Sequence, residues 1–270
     1  MTVFGNALFG YQGIWAAVDL ANRTIKIEPA DSRIYKDYVG GRGVQARILF
    51  EHLRKAGPLK DPLGPDNRIV IGTAAPNDTF IATAGRGSCS FISPMTRSPE
   101  TVSWAEGHEP LYGLITHSSA GGLFPNMLKR AGVDHLIIDG RASAPVRILV
   151  TEGGVQILDA EEELFESVGG RKTVRRASAI THFLSQKYPG SSTVCLGPAG
   201  WSQAAFACLT GDYHRNFGRG GAGAVFGSKN LVAVTASGRA PVAYADAAEF
   251  QKLSRELDAR IKSHVNDPSR

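Results

Sequence analysis

The glycines of this chain come in clusters, and the clusters are also where arginines stand. The stretch "DYHRNFGRGGAGAVFGSKNL" (212–231) sets Arg215 and Arg219 among glycines and then runs into an apolar segment. Gly-Arg-Gly recurs at 41–43, 85–87 and 218–220. Glycine loses the most conformational freedom on folding, so it is kept where backbone must bend sharply or approach something closely. A fold for this sequence must therefore offer several bare bends beside fixed positive charge. Consecutive glycines let several backbone N–H groups converge on one anion, and Arg215 and Arg219 add bidentate donors. A phosphate, or a ring edge rich in acceptors, fits such a cradle. The competing account is a bend between packed strands with its arginines in solvent. One loop alone does not decide between them; similarly built passages at 85–88 and 121–122 favour the cradle.

Two nucleotide readings of the same stretch fail. Gly218, Gly220 and Gly223 spell G-x-G-x-x-G, but the residues before Gly218, "YHRNF", do not read as a strand. Near Gly238-Arg239 no acidic residue stands ready for a ribose. In "GAVFGSKN", Ser228 occupies the place where a P-loop needs lysine after glycine. Arg86 in "TAGRGS", His117 in "THSSAGG" and His214 in "YHRN" are each, taken singly, ordinary surface or structural residues. Asp212 beside them is a candidate cap or hydrogen-bond partner.

Composition bounds the rest. A hydrophobic fraction of 43% and a charged fraction of 20% over 270 residues are those of a soluble globular protein with one large domain or two small ones. A formal charge of +5 favours an anionic partner without naming it. Nucleic acid is disfavoured, because the arginines lack interleaved aromatics. Cys89, Cys195 and Cys208 stand far apart, which points to a reducing compartment and rules out a four-cysteine cluster held by this chain alone. No signal peptide or long apolar run is visible, so a cytoplasmic location away from membranes is expected.

Periodicity predicts strands over 13–19, 23–28, 68–72, 193–196, 203–210 and 231–237, and helices over 38–53, 123–131 and 173–186. A hairpin follows "HLIIDG", with Gly153-Gly154 as its positive-φ turn. Strands outnumber helices and do not alternate with them, which predicts an α+β fold with largely antiparallel sheet. After Ala240-Pro241 a charged amphipathic helix begins, with Phe250, Leu253, Leu257 and Ile261 on one face. Residues 1–242 thus read as one domain and 243–270 as the start of another.

The ordered set "YVGGRG", "TAGRGS", "SPMT", "GLITHSSAGG", "AGVDHLIIDGRASAPV", "LGPAG" and "HRNFGRGGAGAVFGSKNLVAV" resembles the amino-terminal domain of the aldehyde ferredoxin oxidoreductases. The likeness runs from about Ile14 to about Asp246. The resemblance implies two β-sheets forming a saddle under a tungsten or molybdenum bis-pterin cofactor. It implies that Arg86, with Gly87, lies between pterin and iron–sulfur cluster. Ser119, Gly121 and Gly122 match one phosphate loop, and Arg215, Asn216, Gly218, Arg219 and Gly220 the other. A magnesium ion bridging the pterin phosphates would stand at Ser119 and Asn216, partly on backbone carbonyls. Where the family often has asparagine, this chain has Ser119. It also carries an apparent insertion at 97–112, "RSPETVSWAEGHEPLY", read as a longer surface loop.

The family's further domains, or a partner subunit, would supply the cysteines of a [4Fe–4S] cluster and the proton-transfer groups. The chain alone is therefore expected to be inactive, with no catalytic residue of its own. With those domains the implied reaction takes an aldehyde to a carboxylic acid and passes electrons to ferredoxin; a homo-oligomer is compatible with it. The alternative is a non-catalytic scaffold or assembly partner that keeps the saddle without turnover. A neighbouring reading frame encoding the cysteine-bearing domains would favour the enzyme.

Overall fold

Alternating apolar side chains make a strand bury one face, and they do so here in two separate sets of strands. The computed structural model describes residues 8–82, 84–96 and 114–266. The first half contains β1 (Ile14–Asp19), β2 (Thr24–Pro29), α1 (Ser32–Tyr38), α2 (Gly41–Ala56), β3 (Ile69–Gly72), β4 (Gly87–Ile92), β5 (Ile115–Ala120), α3 (Phe124–Arg130) and β6 (His135–Asp139). The second opens with β7 (Val146–Thr151), β8 (Gly154–Asp159), β9 (Phe165–Val168), β10 (Arg171–Val174), α4 (Ala177–Lys187) and β11 (Ser192–Cys195). It closes with α5 (Pro198–Trp201), β12 (Leu209–Gly211), β13 (Arg215–Phe217), α6 (Ala222–Ser228), β14 (Leu231–Ala236) and α7 (Ala247–Val265).

Two six-stranded sheets result, ordered β2-β1-β6-β3-β4-β5 and β13-β12-β11-β14-β7-β8, with β9 and β10 a separate hairpin. Each large sheet has one parallel pairing, β1 with β6 and β14 with β7, and is otherwise antiparallel. This is the α+β arrangement of two mostly antiparallel sheets that the sequence predicts. Ala16, Ile71, Phe91 and Leu136 of the first sheet share one core with Ile148, Val150, Val194 and Val234 of the second. The other face of the first sheet, with Val70 and Ile137, packs on Tyr35 of α1 and on Val44, Ile48 and Leu49 of α2.

Several local expectations are corrected. The helix expected over 38–53 is α2 and begins only at Gly41; Tyr38 ends a separate helix, α1, because Val39 turns to φ 64° as its C-cap and Gly40 carries φ 128°. In the β7–β8 hairpin Thr151 pairs with Gly154, so the turn is Glu152-Gly153 and only Gly154 has a positive φ. The double-glycine turn with positive φ at both positions is Gly169-Gly170, at 58° and 76°, between β9 and β10. Its strand β10 takes up residues read as the start of a helix, and α4 begins only at Ala177. The strand expected over 203–210 is shortened to Leu209–Gly211.

A short strand, β13, does lead into Gly218, and α6 follows it. The dinucleotide reading still fails. β13 pairs antiparallel with β12 at a sheet edge, whereas β14, beyond α6, pairs with β11 and β7. The segment is thus not a parallel strand–helix–strand unit. The apparent insertion at 97–112 lies outside the described residues.

Candidate functional site

The glycine bends meet because two edge strands lie side by side. In the β4–β5 pair Gly87 stands opposite Ala120 and Ser88 opposite Ser119, so Arg86 and Gly121 leave the sheet at the same end. β13, the edge of the second sheet, runs along β5, the edge of the first. The Arg219 amide donates to Ser118 Oγ at 3.1 Å. A Cβ on Gly220 would collide with Thr116 Cγ2, and one on Gly122 would stand 2.5 Å from Asp212 Oδ2 and 3.0 Å from Arg215 Cγ. Residues 122, 118 and 116 thus meet 215, 219 and 220 in turn, two strands crossing in opposite directions with side chains and bare Cα atoms in place of a ladder. Gly122 and Gly220 also hold φ of 101° and 84°, which a side chain would strain.

Asp212 fastens this junction. Its carboxylate accepts from the Leu123 amide and from Ser192 Oγ, tying the loop after β5 to the second sheet. The hydrogen-bonding role read for Asp212 from sequence is the one it has.

The Arg86 bend is held from beneath by two buried residues that sequence reasoning missed. Asn77 Nδ2 donates to the carbonyls of Ala84 at 2.7 Å and Arg86 at 3.0 Å, while its Oδ1 accepts from the Ala74 amide at 2.7 Å. Lys129, fully buried, donates from Nζ to the carbonyls of Gly10, Ala74, Ala75 and Asn77 at 2.7–3.0 Å. Burial pulls its ammonium down to about 8, against the opposing charges of Asp134 and Asp78. The only sequence signal was a lysine on the apolar side of a short helix, which reads as snorkelling rather than burial.

Arg86, Arg215 and Arg219 are exposed and make no ion pair among the described residues, whereas Arg68, Arg130 and Arg147 each bind a carboxylate. Gly121 and Gly218 are informative in another way. A Cβ on either would meet nothing within 4 Å, and neither has a positive φ. Most other described glycines have a positive φ or would bring a Cβ into close contact, while Gly85, Gly153 and Gly197 would meet neighbours only at ordinary van der Waals distance. The chain's own packing gives no reason for glycine at these two positions, one on each bend. Asn216 accepts from Thr210 Oγ1 through its side-chain oxygen at 2.9 Å, within the β12–β13 pair. Ser119 is half-buried opposite Ser88. Among the described residues no three His, Cys, Asp or Glu side chains gather as a metal site.

Comparison with known proteins meets this geometry. The family model "Aldehyde ferredoxin oxidoreductase, N-terminal domain" matches residues 15–238. The chain belongs to the aldehyde ferredoxin oxidoreductase family. It is 33% identical over 264 residues to the tungsten-containing aldehyde ferredoxin oxidoreductase of Pyrococcus furiosus, covering 97% of this chain and 38% of that protein. The enzyme of the same name from Thermococcus kodakarensis is 32% identical over 264 residues, with the same coverage. A further relative, the aliphatic sulfonate oxidoreductase WOR-like subunit of Pyrococcus furiosus, is 28% identical over 87% of this chain and 36% of its own length. In three dimensions the chain is similar to the active site complex BamBC of benzoyl coenzyme A reductase solved with 1,5-dienoyl-CoA. The TM-score is 0.82 at 25% identity, over 96% of this chain and 36% of that one. The chain thus spans less than two fifths of the length of each relative. No helix among the described residues is long and apolar enough to cross a membrane.

Proposed function

We propose that this chain is the cofactor-binding amino-terminal part of a tungsten or molybdenum bis-pterin oxidoreductase. The complete enzyme oxidises an aldehyde to a carboxylic acid in the cytoplasm and passes the electrons to ferredoxin. The observation that carries the reading is the pair Gly121 and Gly218. They are bare without internal cause, on two bends that stand together beside three unpaired arginines. An anionic ligand with a broad polar edge, brought close to backbone, supplies the missing cause.

The residues present fit such a group. Arg215 and Arg219 offer planar guanidinium donors to pterin phosphates, with Gly218 and Gly220 letting the backbone approach. By the family resemblance Arg86 and Gly87 would stand between the pterin and a [4Fe–4S] cluster carried on cysteines of the remaining domains. Gly121 and Gly122 would let the backbone approach the second phosphate. A magnesium ion between the phosphates would take backbone carbonyls at Ser119 and Asn216, a hard cation on oxygen ligands. When bound, the metal centre supplies a two-electron acceptor for RCHO + H2O → RCOOH + 2 H⁺ + 2 e⁻. This chain orients the cofactor and compensates its charge. The residues assigned to the cofactor here are arginines, glycines, Ser119 and Asn216, none of them a proton-transfer group, so the chain by itself is expected to be inactive.

The test is the complete protein, chain plus remaining domains or subunit, produced in cells supplied with tungstate and with molybdate. Metal analysis should find tungsten or molybdenum, and oxidative release should give a fluorescent pterin. A preparation with neither would leave a scaffold that kept the fold without the chemistry, and the reading would fall.

A further inference from the structure

Of the three Gly-Arg-Gly bends, the assignment above uses those at 85–87 and 218–220 and leaves 41–43 unexplained. We infer that this third bend is an anion subsite at the same end of the β4–β5 pair, on the face opposite the one that meets 218–220, taking the oxygens of a phosphate monoester or diphosphate. The inference rests on the pterin reading for the identity of its ligand, but its evidence is separate.

Gly41–Gly43 is the opening of α2, a helix of 16 residues whose N-cap, Gly40, provides no side-chain hydrogen bond. The end of such a helix carries partial positive charge and unsatisfied amides. The backbone there is anchored: Gly40 bridges to Ala74, and the Gly41 amide donates to the Thr73 carbonyl at 3.0 Å. A second observation points to a ligand. Ser88 is only 6% exposed, and its hydroxyl has no partner. It faces the helix opening, 3.7 Å from where a Cβ on Gly41 would stand. Its carbonyl, by contrast, is satisfied by Gln45 Nε2 at 2.9 Å. A buried hydroxyl left without a partner forfeits its hydration, so it calls for one.

Arg42 supplies the charge. Its guanidinium lies 3.2 Å from His117 Nε2 and makes no ion pair among the described residues. His117 is on β5 two positions before Ser119, and alternation puts both on the face that carries Ser88, the face α2 covers. Arg42, Ser88 and Ser119 therefore share the outer face of the β4–β5 pair, at the end where Arg86 and Gly121 emerge. The Gly41 and Gly43 amides are spent on the Thr73 and Gly40 carbonyls, which leaves the Arg42 amide, its forked guanidinium and the Ser88 hydroxyl as the donors a tetrahedral oxyanion would use.

The experiment uses the complete protein prepared without tungstate or molybdate, with inorganic pyrophosphate titrated calorimetrically. Arg42→Ala should weaken pyrophosphate binding about tenfold, the loss of a charge-assisted contact, and Arg42→Lys should restore part of it. Ser88→Ala should also weaken binding while leaving the ligand-free melting temperature unchanged or raised, which a purely structural serine would not do. Arg219→Ala is the reference for the seat itself. If Arg219→Ala loses affinity while Arg42→Ala and Ser88→Ala bind as the parent does, the third bend is no subsite and the pterin reading stands. If the parent protein binds no pyrophosphate, the subsite falls, while the pterin reading is decided by the metal and pterin content.

Discussion

Lys129 is a cation buried among carbonyls, with no carboxylate in contact. Lys129→Met keeps the volume of the stem but leaves those carbonyls without a donor. It should cost about 3 kcal/mol or more of stability by denaturant titration, and should free the Arg86 bend. Asn77→Ala cuts the same bend loose one step later, so its amides at 84–86 should exchange faster while β6 stays protected. Protection of that bend equal to the parent's in both variants would show that the scaffold does not hold it. His135 is a different kind of buried polar group. Both its ring nitrogens lack partners, and burial alone pushes its pKa down to about 3. The unfolded chain takes up a proton from about pH 6.5 downward and the folded one does not. Stability therefore falls as pH drops from 6.5 towards 3, by up to about 1.4 kcal/mol per pH unit. His135→Leu should remove that part of the acid sensitivity, so its melting temperature should exceed the parent's at pH 4.5 by a margin that shrinks at pH 7.5. A constant margin at both values would refute the assignment.

At the scale of elements, the glycines of the junction divide into two kinds that mutation separates. Gly220→Ala meets Thr116 and Phe91 at a positive φ, so it should cost about 1–3 kcal/mol by prying β13 from β5. Gly121→Ala and Gly218→Ala meet nothing and strain nothing, so they should stay within about 0.5 kcal/mol of the parent in the ligand-free protein. In the metal-supplied complete protein they should nonetheless lower the tungsten or molybdenum content. Unchanged metal in both would mean that no ligand approaches those bends. This division was out of reach of the sequence, where all these residues are one letter. What periodicity did reach were the regular strands: β1, β3 and β14 differ by a residue or two from the predicted bounds, since alternation survives in any local window. Short edge elements were missed. β13 has three residues, among them an arginine and an asparagine, and its existence depends on β12 beside it.

At the scale of the whole molecule, the ordered motifs made the site legible as a set of residues, but its geometry depends on two edge strands meeting. No local signal encodes that meeting, because the contacts join residues about a hundred positions apart, as Ser118 and Arg219 do. The last helix poses the complementary question. α7 starts well: Asp246 caps it by accepting from the Glu249 amide at 2.9 Å, and Phe250 leans on Tyr244 with ring centroids 4.8 Å apart. Beyond that first turn Leu253 is 53% and Leu257 40% exposed, so the apolar stripe read from the sequence has little to pack on within this chain. An amphipathic helix of 19 residues gains most of its stability from packing its apolar face. Because the relatives continue for well over half their length beyond the matched part, the stripe is expected to be covered by the remaining chain, with 243–270 opening a further domain. Hydrogen exchange tests this directly. In the 270-residue chain alone the amides of α7 after Phe250 should exchange at least tenfold faster than in the complete protein, while those of β14 should barely differ. Leu253→Ser with Leu257→Ser should abolish the added protection without touching β14. If α7 is equally protected in both preparations, the helix belongs to the domain described here, and the boundary lies beyond it.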